Sequence, residues 1–362
     1  MLNLSNFTTN FKNRKMRTKY FITILLLFVG LITNAQKDKN SSNPSSQKKE
    51  SSNGSENKNS PSNFSDLDIK YTGNTRLVNV TSDVYFFSND SENMGVILTN
   101  KGVVIIDTQA EEEMTRSLKI VNRLNKKLSI KYLITSSNLL KNKKTANELI
   151  TEGALFLAQD FSSKSKTDRK GSNLSNFKPD IAFTDQMTLN FEGEKIDVIS
   201  LNNSGNSAVY LTKKNILFTG SVYVYNKYPE INAEQGKSFD EISEAISKLK
   251  DIANKNTKIV PGQGDLVRQI DLIRTSKMML SIYKQIYSHR ENGKTLEQTL
   301  AMNICENSDK QGFGNGTITA NMFITSIYNE VAKELGPLDT RTPEQKAMDR
   351  LKEIQKEKKQ KK

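Results

Sequence analysis

Short runs of β-branched and aromatic residues, each cut off by Asn, Asp, Ser or Gly, restrict this chain's fold more than any other feature of its sequence. Leu77 to Val80, Val84 to Phe87, Gly95 to Leu98 and Val103 to Ile106 are the first four. Runs of this length bounded by turn residues predict the opening of an antiparallel sheet. A helical stretch, Glu111 to Leu124, follows with acidic residues in its first turn, and Ile130 to Ile134 then reads as a strand. Further strands are expected at Ala154 to Ala158, Ile181 to Phe183, Met187 to Asn190, Ile196 to Leu201, Val209 to Leu211 and Ile216 to Phe218. A helix over Phe239 to Ala253 leads into Ile259-Val260. That alternation predicts an α/β architecture with mixed sheets.

Beyond this core the sequence turns helical. Val267 to His289 places Ile270, Ile273, Met278, Leu280, Ile282, Tyr283 and Ile286 mostly on one broad face, and Gly293 ends it. Leu296 to Ile304 and Thr319 to Leu335 predict two more helices, the second closed by Gly336-Pro337. Thr342-Pro343-Glu344 starts a charged helix with a thin apolar line at Ala347, Met348, Leu351 and Ile354.

The N-terminal end has a different character. Lys12 to Lys19 is basic, Tyr20 to Ile32 is apolar, and Thr33-Asn34-Ala35 supplies small residues before Gln36, which is the pattern of a secretory signal peptide. Met16 is an alternative start, and the apolar run is short for a membrane span, which needs roughly 20 residues. Gln36 to Asp66 draws sixteen of its thirty-one residues from Ser and Asn and has almost nothing to bury, so it is expected to be a disordered tether. The divisions expected are 1–35 signal peptide, 36–66 linker, 67–265 main domain, 266–338 helical extension and 339–362 charged tail.

Charge excludes little. The net charge is +13, but five basic residues (Lys12, Arg14, Lys15, Arg17 and Lys19) lie in the leader, and without them 48 basic residues stand against 40 acidic ones. Half of that excess falls between Glu344 and Lys362, Trp is absent, and the aromatics sit inside strand-like runs, so no nucleic-acid partner is expected. A single cysteine, Cys305, rules out an intrachain disulfide framework and a thiolate metal cluster.

Three passages carry a resemblance. Met94-Gly95-Val96-Ile97-Leu98 with Gly102-Val103-Val104-Ile105-Ile106-Asp107-Thr108 forms one hairpin pattern. Gly205-Asn206-Ser207-Ala208-Val209-Tyr210-Leu211 with Ile216-Leu217-Phe218-Thr219-Gly220 forms another, and Ile259-Val260-Pro261-Gly262-Gln263-Gly264 a closing loop. In order and spacing these resemble the metallo-β-lactamase superfamily over about residues 75 to 265. The resemblance implies a four-layer αββα sandwich with a C-terminal helical extension, and a site at one edge where loops from both halves meet. In that family two zinc ions polarise the scissile bond and activate a bridging water, held by imidazoles and carboxylates.

Those ligands are missing. Where the family has Thr-His-x-His-x-Asp-His, this chain has Thr135-Ser136-Ser137-Asn138-Leu139-Leu140-Lys141. The later His position is Asn202, or Asn203 after a one-residue slip; the bridging Asp is Ser221, and the His of the closing loop is Gln263. The only histidine, His289, falls in the helical region. An ammonium at Lys141 would repel a dication by roughly 8 kcal/mol at 4 Å and an effective dielectric near 20. Neither zinc nor any other cofactor is therefore expected.

Two functions stay open. One is a non-catalytic protein of the cell envelope, periplasmic or secreted, with Ser136, Ser137, Asn138, Lys141, Asn202, Ser221 and Gln263 lining a polar pocket for a small polar or anionic ligand, or with an envelope protein as partner. A membrane contact is expected only through the leader, if it is uncleaved. The other is a hydrolase of ester, amide or phosphoester bonds using a metal-free pair, Ser137 with Lys141, or Ser136 with Lys143 or Lys144, or an unrecognised metal site. His289 with Cys305 is a further pairing, but a solvated histidine and a small core cysteine are the simpler expectations.

Overall fold

Val103 and Ile105 point to one side of their strand and Val104 and Ile106 to the other, and all four are buried. A strand buried on both faces needs a layer on each side, and this alternation sets the architecture. The computed structural model describes residues 69–89, 91–124, 129–137, 140–160, 178–202, 204–233, 237–339 and 341–360. The expected signal peptide and tether lie outside them, as do Asn138, Leu139 and Asn203.

Eight strands form the first sheet in chain order: β1 (Ile69–Thr72), β2 (Thr75–Thr81), β3 (Val84–Ser88), β4 (Asn93–Leu98), β5 (Val103–Ile106), β6 (Ile130–Ile134), β7 (Leu155–Gln159) and β8 (Ile181–Phe183). β1 to β5 are antiparallel neighbours, whereas β5 to β8 run parallel. Parallel neighbours need crossovers, supplied by α1 (Glu111–Leu124) between β5 and β6 and α2 (Lys143–Thr151) between β6 and β7.

The second sheet has β9 (Gln186–Phe191), β10 (Glu194–Ser200), β11 (Ser207–Leu211), β12 (Ile216–Phe218) and β13 (Lys258–Val260), in the order β13-β12-β11-β10-β9. Only β12 and β13 are parallel, joined through α3 (Phe239–Ile252). A capping box starts α3: the Ser238 side chain accepts from the Glu241 N–H and the Glu241 carboxylate accepts in return.

Between the sheets, Phe86, Ile97, Val104, Ile106, Ile134 and Leu157 pack against Ile196, Val198, Val209, Ile216, Phe218 and Val260. Outside the first sheet, Val103, Ile105 and Phe156 meet Met114 and Val121 of α1 and Ala146 and Leu149 of α2. Outside the second, Ala208, Leu217 and Ile259 meet Ala245 and Leu249 of α3 and Leu272 of α4 (Gln269–Glu291). The result is helix, sheet, sheet, helix. Burying each large apolar side chain contributes roughly 1.5–3 kcal/mol, and most of these are wholly enclosed.

The far ends of α3 and α4 share a second core with α7 (Ala320–Leu335), built from Phe239, Ile242, Met279, Ile282, Phe323 and Ile327 and joined by Tyr228, Cys305 and Phe313. Between them, α5 (Leu296–Leu300) stops earlier than the expected Ile304, because Asn303 takes a left-handed φ of 49° that asparagine tolerates. A separate turn of helix, α6 (Glu306–Lys310), follows with Cys305 at its start. α8 (Pro343–Gln360) completes the described chain.

Besides α6, two elements go beyond what the sequence pattern predicts. β1 lies just beyond the polar tether, and α2 falls between the expected strands Ile130 to Ile134 and Ala154 to Ala158, where no helix is expected. Asn142 starts α2 by accepting the Thr145 N–H at 3.0 Å. Lys143 and Lys144 therefore sit in the first turn of a helix.

Candidate functional site

Parallel strands in both sheets end at one edge, since Ile106 pairs with Ile134 and Phe218 with Val260. The residues that follow them, from Asp107, Thr135, Thr219 and Pro261 onward, form the loops of that edge. The crevice beyond the carboxyl ends of parallel strands is where α/β sheets place their ligands.

Asp107 is the centre of this edge. Its φ of 63° is left-handed, unusual outside glycine and tolerated by the short polar side chain of aspartate. That turn aims the carboxylate at the β6 loop. Oδ1 accepts from the Ser136 backbone N–H at 2.7 Å and Oδ2 from the Ser136 hydroxyl at 2.6 Å. Burial pushes the Asp107 carboxyl above its ordinary value, against hydrogen bonds from Ser136 and Thr135 that pull it down.

Ser136, at the first of the His positions, is thus tied down. It is 2% exposed, and its carbonyl accepts the Ser207 N–H at 2.8 Å, a bond from the first sheet's loop to the second sheet. Gly220, at φ 60°, packs directly on it: a Cβ at Gly220 would lie 2.2 Å from Ser136 Oγ. The closing loop presses on the same point, for a Cβ at Gly262 would lie 2.4 Å from the Gly220 carbonyl oxygen. Ser136, Ser221 and Gln263 therefore belong to backbone segments in contact, with Ser221 exposed and Gln263 half-buried.

Asn202 reaches the same edge through its own loop. Its Oδ1 accepts from Ser204 N, Asn206 N and Asn206 Nδ2 at 3.0, 3.4 and 3.2 Å, while its buried Nδ2 has no partner among the described residues. The loop is anchored to α3 by a hydrogen bond from the Ser204 hydroxyl to Glu241. Gln159 at the end of β7 supports it from below, donating to Ser200 Oγ and, at 3.4 Å, to the Asn202 carbonyl.

Leu140 and Lys141 diverge. Leu140 is buried in the outer core with Val103, Leu133 and Leu149, facing away from the loop edge. Lys141 is exposed, and its charge helps hold the Glu92 carboxyl down against the burial that raises it. Glu92 also accepts the Ala110 N–H at 2.5 Å at the head of α1. Next to it, Asn93 clamps the closing loop, donating from its backbone to the Gly262 carbonyl and from Nδ2 to the Pro261 and Gly264 carbonyls, all at 2.8 Å.

Several residues of the expected pairs have partners or surroundings of their own. The Ser136 hydroxyl is donated to Asp107, and the Lys144 ammonium bonds Glu111 at 2.6 Å, which raises its pKa and keeps it from acting as a base. Ser137 is half-buried and closes a turn with Thr135, whose Oγ1 donates to the Ser137 carbonyl at 2.9 Å. His289 is half-buried rather than solvated, with its pKa lowered by burial and by Lys294. The Cys305 thiol is pushed up to about 11 by burial in the helical core, so it is protonated at neutral pH.

The side chains described at the positions where the resemblance places zinc ligands do not fit a pair of zinc ions. A hydroxyl committed to Asp107, a hydrocarbon in the core, an ammonium and an amide oxygen already accepting three N–H groups supply no imidazole or thiolate. Among the described residues no three His, Cys, Asp or Glu side chains are grouped to hold a metal. A groove of about 640 Å³, lined by Leu118, Arg123, Ile130, Thr145 and Glu152 among others, lies between α1 and α2 and includes none of these positions.

Asp107, Glu92 and Asn93 are site residues that the sequence does not single out. Asp107 has a signal, an acid directly after Val-Val-Ile-Ile, but in the sequence it reads only as part of a hairpin.

No family model and no curated protein matches the sequence. Solved structures do match the backbone. The sec-alkylsulfatase Pisa1 from Pseudomonas sp. aligns with a TM-score of 0.53 at 13% identity, covering 73% of this chain and 52% of that one. The chain has the metallo-β-lactamase fold. It spans about half the length of that alkylsulfatase. A metallo-β-lactamase from Pontibacter korlensis aligns at 18% identity with a TM-score of 0.42, over 59% of this chain and 99% of that one. A metallo-β-lactamase family protein from Thermus thermophilus does so at 11% and 0.49, over 68% and 89%. The four layers and the loop edge of this metallo-β-lactamase-fold chain agree with the architecture that the sequence passages implied.

Proposed function

We propose that this chain is an exported metallo-β-lactamase-fold protein of the cell envelope that binds no zinc and acts as a binding or scaffold protein, its partner a small polar or anionic ligand or an envelope protein. The observation that carries this reading is the fate of Ser136. At the position of the first metal-binding imidazole, its hydroxyl is spent on Asp107 and its side chain is sealed against Gly220. A site built for chemistry keeps its reacting atoms open, whereas this one has become a structural joint between the two sheets. What stays exposed at the edge, Lys141 and Ser221, suits recognition of an anion or a polar group.

The test is the metal content of the purified protein after incubation with excess zinc and gel filtration. Retention below about 0.1 equivalent per chain is expected, because zinc sites need several deprotonated ligands grouped together, and the Asp107 carboxylate at this edge is already committed to Ser136. One or two equivalents retained would sink the reading. Ester or phosphoester hydrolysis lost on Lys141→Ala would instead favour a metal-free hydrolase.

A further inference from the structure

Helix α8 presents an apolar face that no described residue covers. Met348, Leu351 and Ile354 are 55%, 54% and 43% exposed, and none of the side chains described on this helix is buried. At 100° per residue, these three and Ala347 share an arc of ~120° along one side. Elsewhere in this protein amphipathic helices bury such faces: α3, α4 and α7 close their apolar sides into a common core. An 18-residue helix without tertiary packing is marginal in water, so a stripe left open marks a surface that gains by being covered.

The charge around the stripe selects the cover. Between Glu344 and Ile354 acidic and basic residues balance, Glu344, Asp349 and Glu353 against Lys346, Arg350 and Lys352. From Lys356 to Lys362 five of seven residues are Lys and one is acidic. A second copy of the helix offers this basic end no matching acidic partner in either orientation, since the other half is neutral. A nucleic acid would match the charge but leave the aliphatic stripe in water, and no aromatic residue lies between Glu344 and Lys362 to stack on bases. An anionic lipid surface satisfies both features: the acyl boundary takes Met348, Leu351 and Ile354, and the headgroups take the lysines.

We infer that α8 is an interfacial membrane-binding helix, lying on anionic bilayers through the Met348, Leu351 and Ile354 face with its lysine-rich end against the headgroups. It lies on the bilayer without crossing it, and no helix among the described residues is long and apolar enough to span a membrane. This inference is independent of the metal question, because α8 contributes no residue to the loop edge.

The experiment is co-sedimentation of the whole protein with vesicles of phosphatidylcholine alone or with roughly 30% phosphatidylglycerol. The protein is expected to pellet with the anionic vesicles only, and to be released as salt rises from about 0.05 to 0.5 M. The triple change Met348→Ser, Leu351→Ser and Ile354→Ser leaves the charge unaltered and is expected to weaken binding at least about tenfold. Lys356→Gln with Lys358→Gln and Lys359→Gln should do the same by the other route. All six positions belong to this outlying helix, and an unchanged urea midpoint checks that the fold is intact. Equal binding to neutral vesicles, no binding to either, or binding that survives the triple change would overturn the inference. Self-association in the absence of vesicles that the triple change abolishes would assign the stripe to a second copy, and retention on duplex DNA through the same variant would assign the lysines to nucleic acid.

Discussion

The sandwich interior and its loop edge hold together by different physics. Between the sheets, Phe86, Val104, Ile134, Val198 and Phe218 interlock by shape and apolar area, forces without direction that accept one aliphatic residue for another. At the edge, Asp107, Ser136, Asn202 and Asn93 are joined by hydrogen bonds of set length and angle, where each change of residue type rewires the contact. The interior can therefore persist after sequence matching fails. That is why solved structures of the metallo-β-lactamase fold align while no family model or curated protein does. At this edge the Ser136 hydroxyl is committed to Asp107 and Leu140 is packed into the outer core, so each is held by its own kind of contact.

The strongest way to break this comparison is to damage the interior. Phe86 is fully enclosed between the sheets, so Phe86→Ala removes apolar area and leaves a cavity. A loss of about 3–5 kcal/mol is expected in urea unfolding. A loss no greater than that of an edge substitution would show that the interior does not dominate the stability.

The edge is sharpened at Asp107. Asp107→Ala strips both partners from the Ser136 N–H and hydroxyl, and a loss of about 2–3 kcal/mol is expected. Asp107→Asn keeps an acceptor for the N–H, presents an amide to the hydroxyl and tolerates the left-handed φ, so most of that loss should return. The two variants also separate by pH. Burial holds the folded Asp107 carboxyl above its ordinary 3.8, so its stabilising share is full below that value and fades as pH rises through the folded value. Glu92, raised for the same reason, acts in the same direction. Wild-type stability measured from pH 4 to pH 7 should lean toward the acid side, and Asp107→Asn should reduce that slope. An unchanged slope would remove Asp107 as its source.

What is legible in the sequence divides along the same line. Strands such as Val103 to Ile106 and the helix Glu111 to Leu124 are readable to the residue, because period and turn chemistry are local. The layer order is readable too, through the two hairpins and the closing Pro261-Gly262 loop. Helix α2 is not, since its apolar face is only Ala146, Leu149 and Ile150 and its start depends on Asn142 accepting one N–H. Nor is the hydrogen-bonded edge. That Ser136 bonds Asp107, twenty-nine positions earlier, rather than facing a ligand is a property of how two parallel strands end side by side. No local pattern carries it.

The smallest expected effect tests where the edge stops and ordinary surface begins. Lys144 lies close in sequence to Lys141 and is a candidate base for Ser136 on sequence alone, but in the fold it is exposed and bonded to exposed Glu111. Ion pairs of this kind are screened by solvent and constrained by side-chain entropy. Lys144→Ala should therefore leave the urea midpoint within the scatter of the measurement and leave any ligand retention unchanged. Ser136→Ala, two residues past the end of β6, should show a clear shift. If Lys144→Ala instead altered retention of an anionic ligand, the recognition surface would extend along α2, and the division between structural joint and solvated surface would have to be moved outward from Lys141.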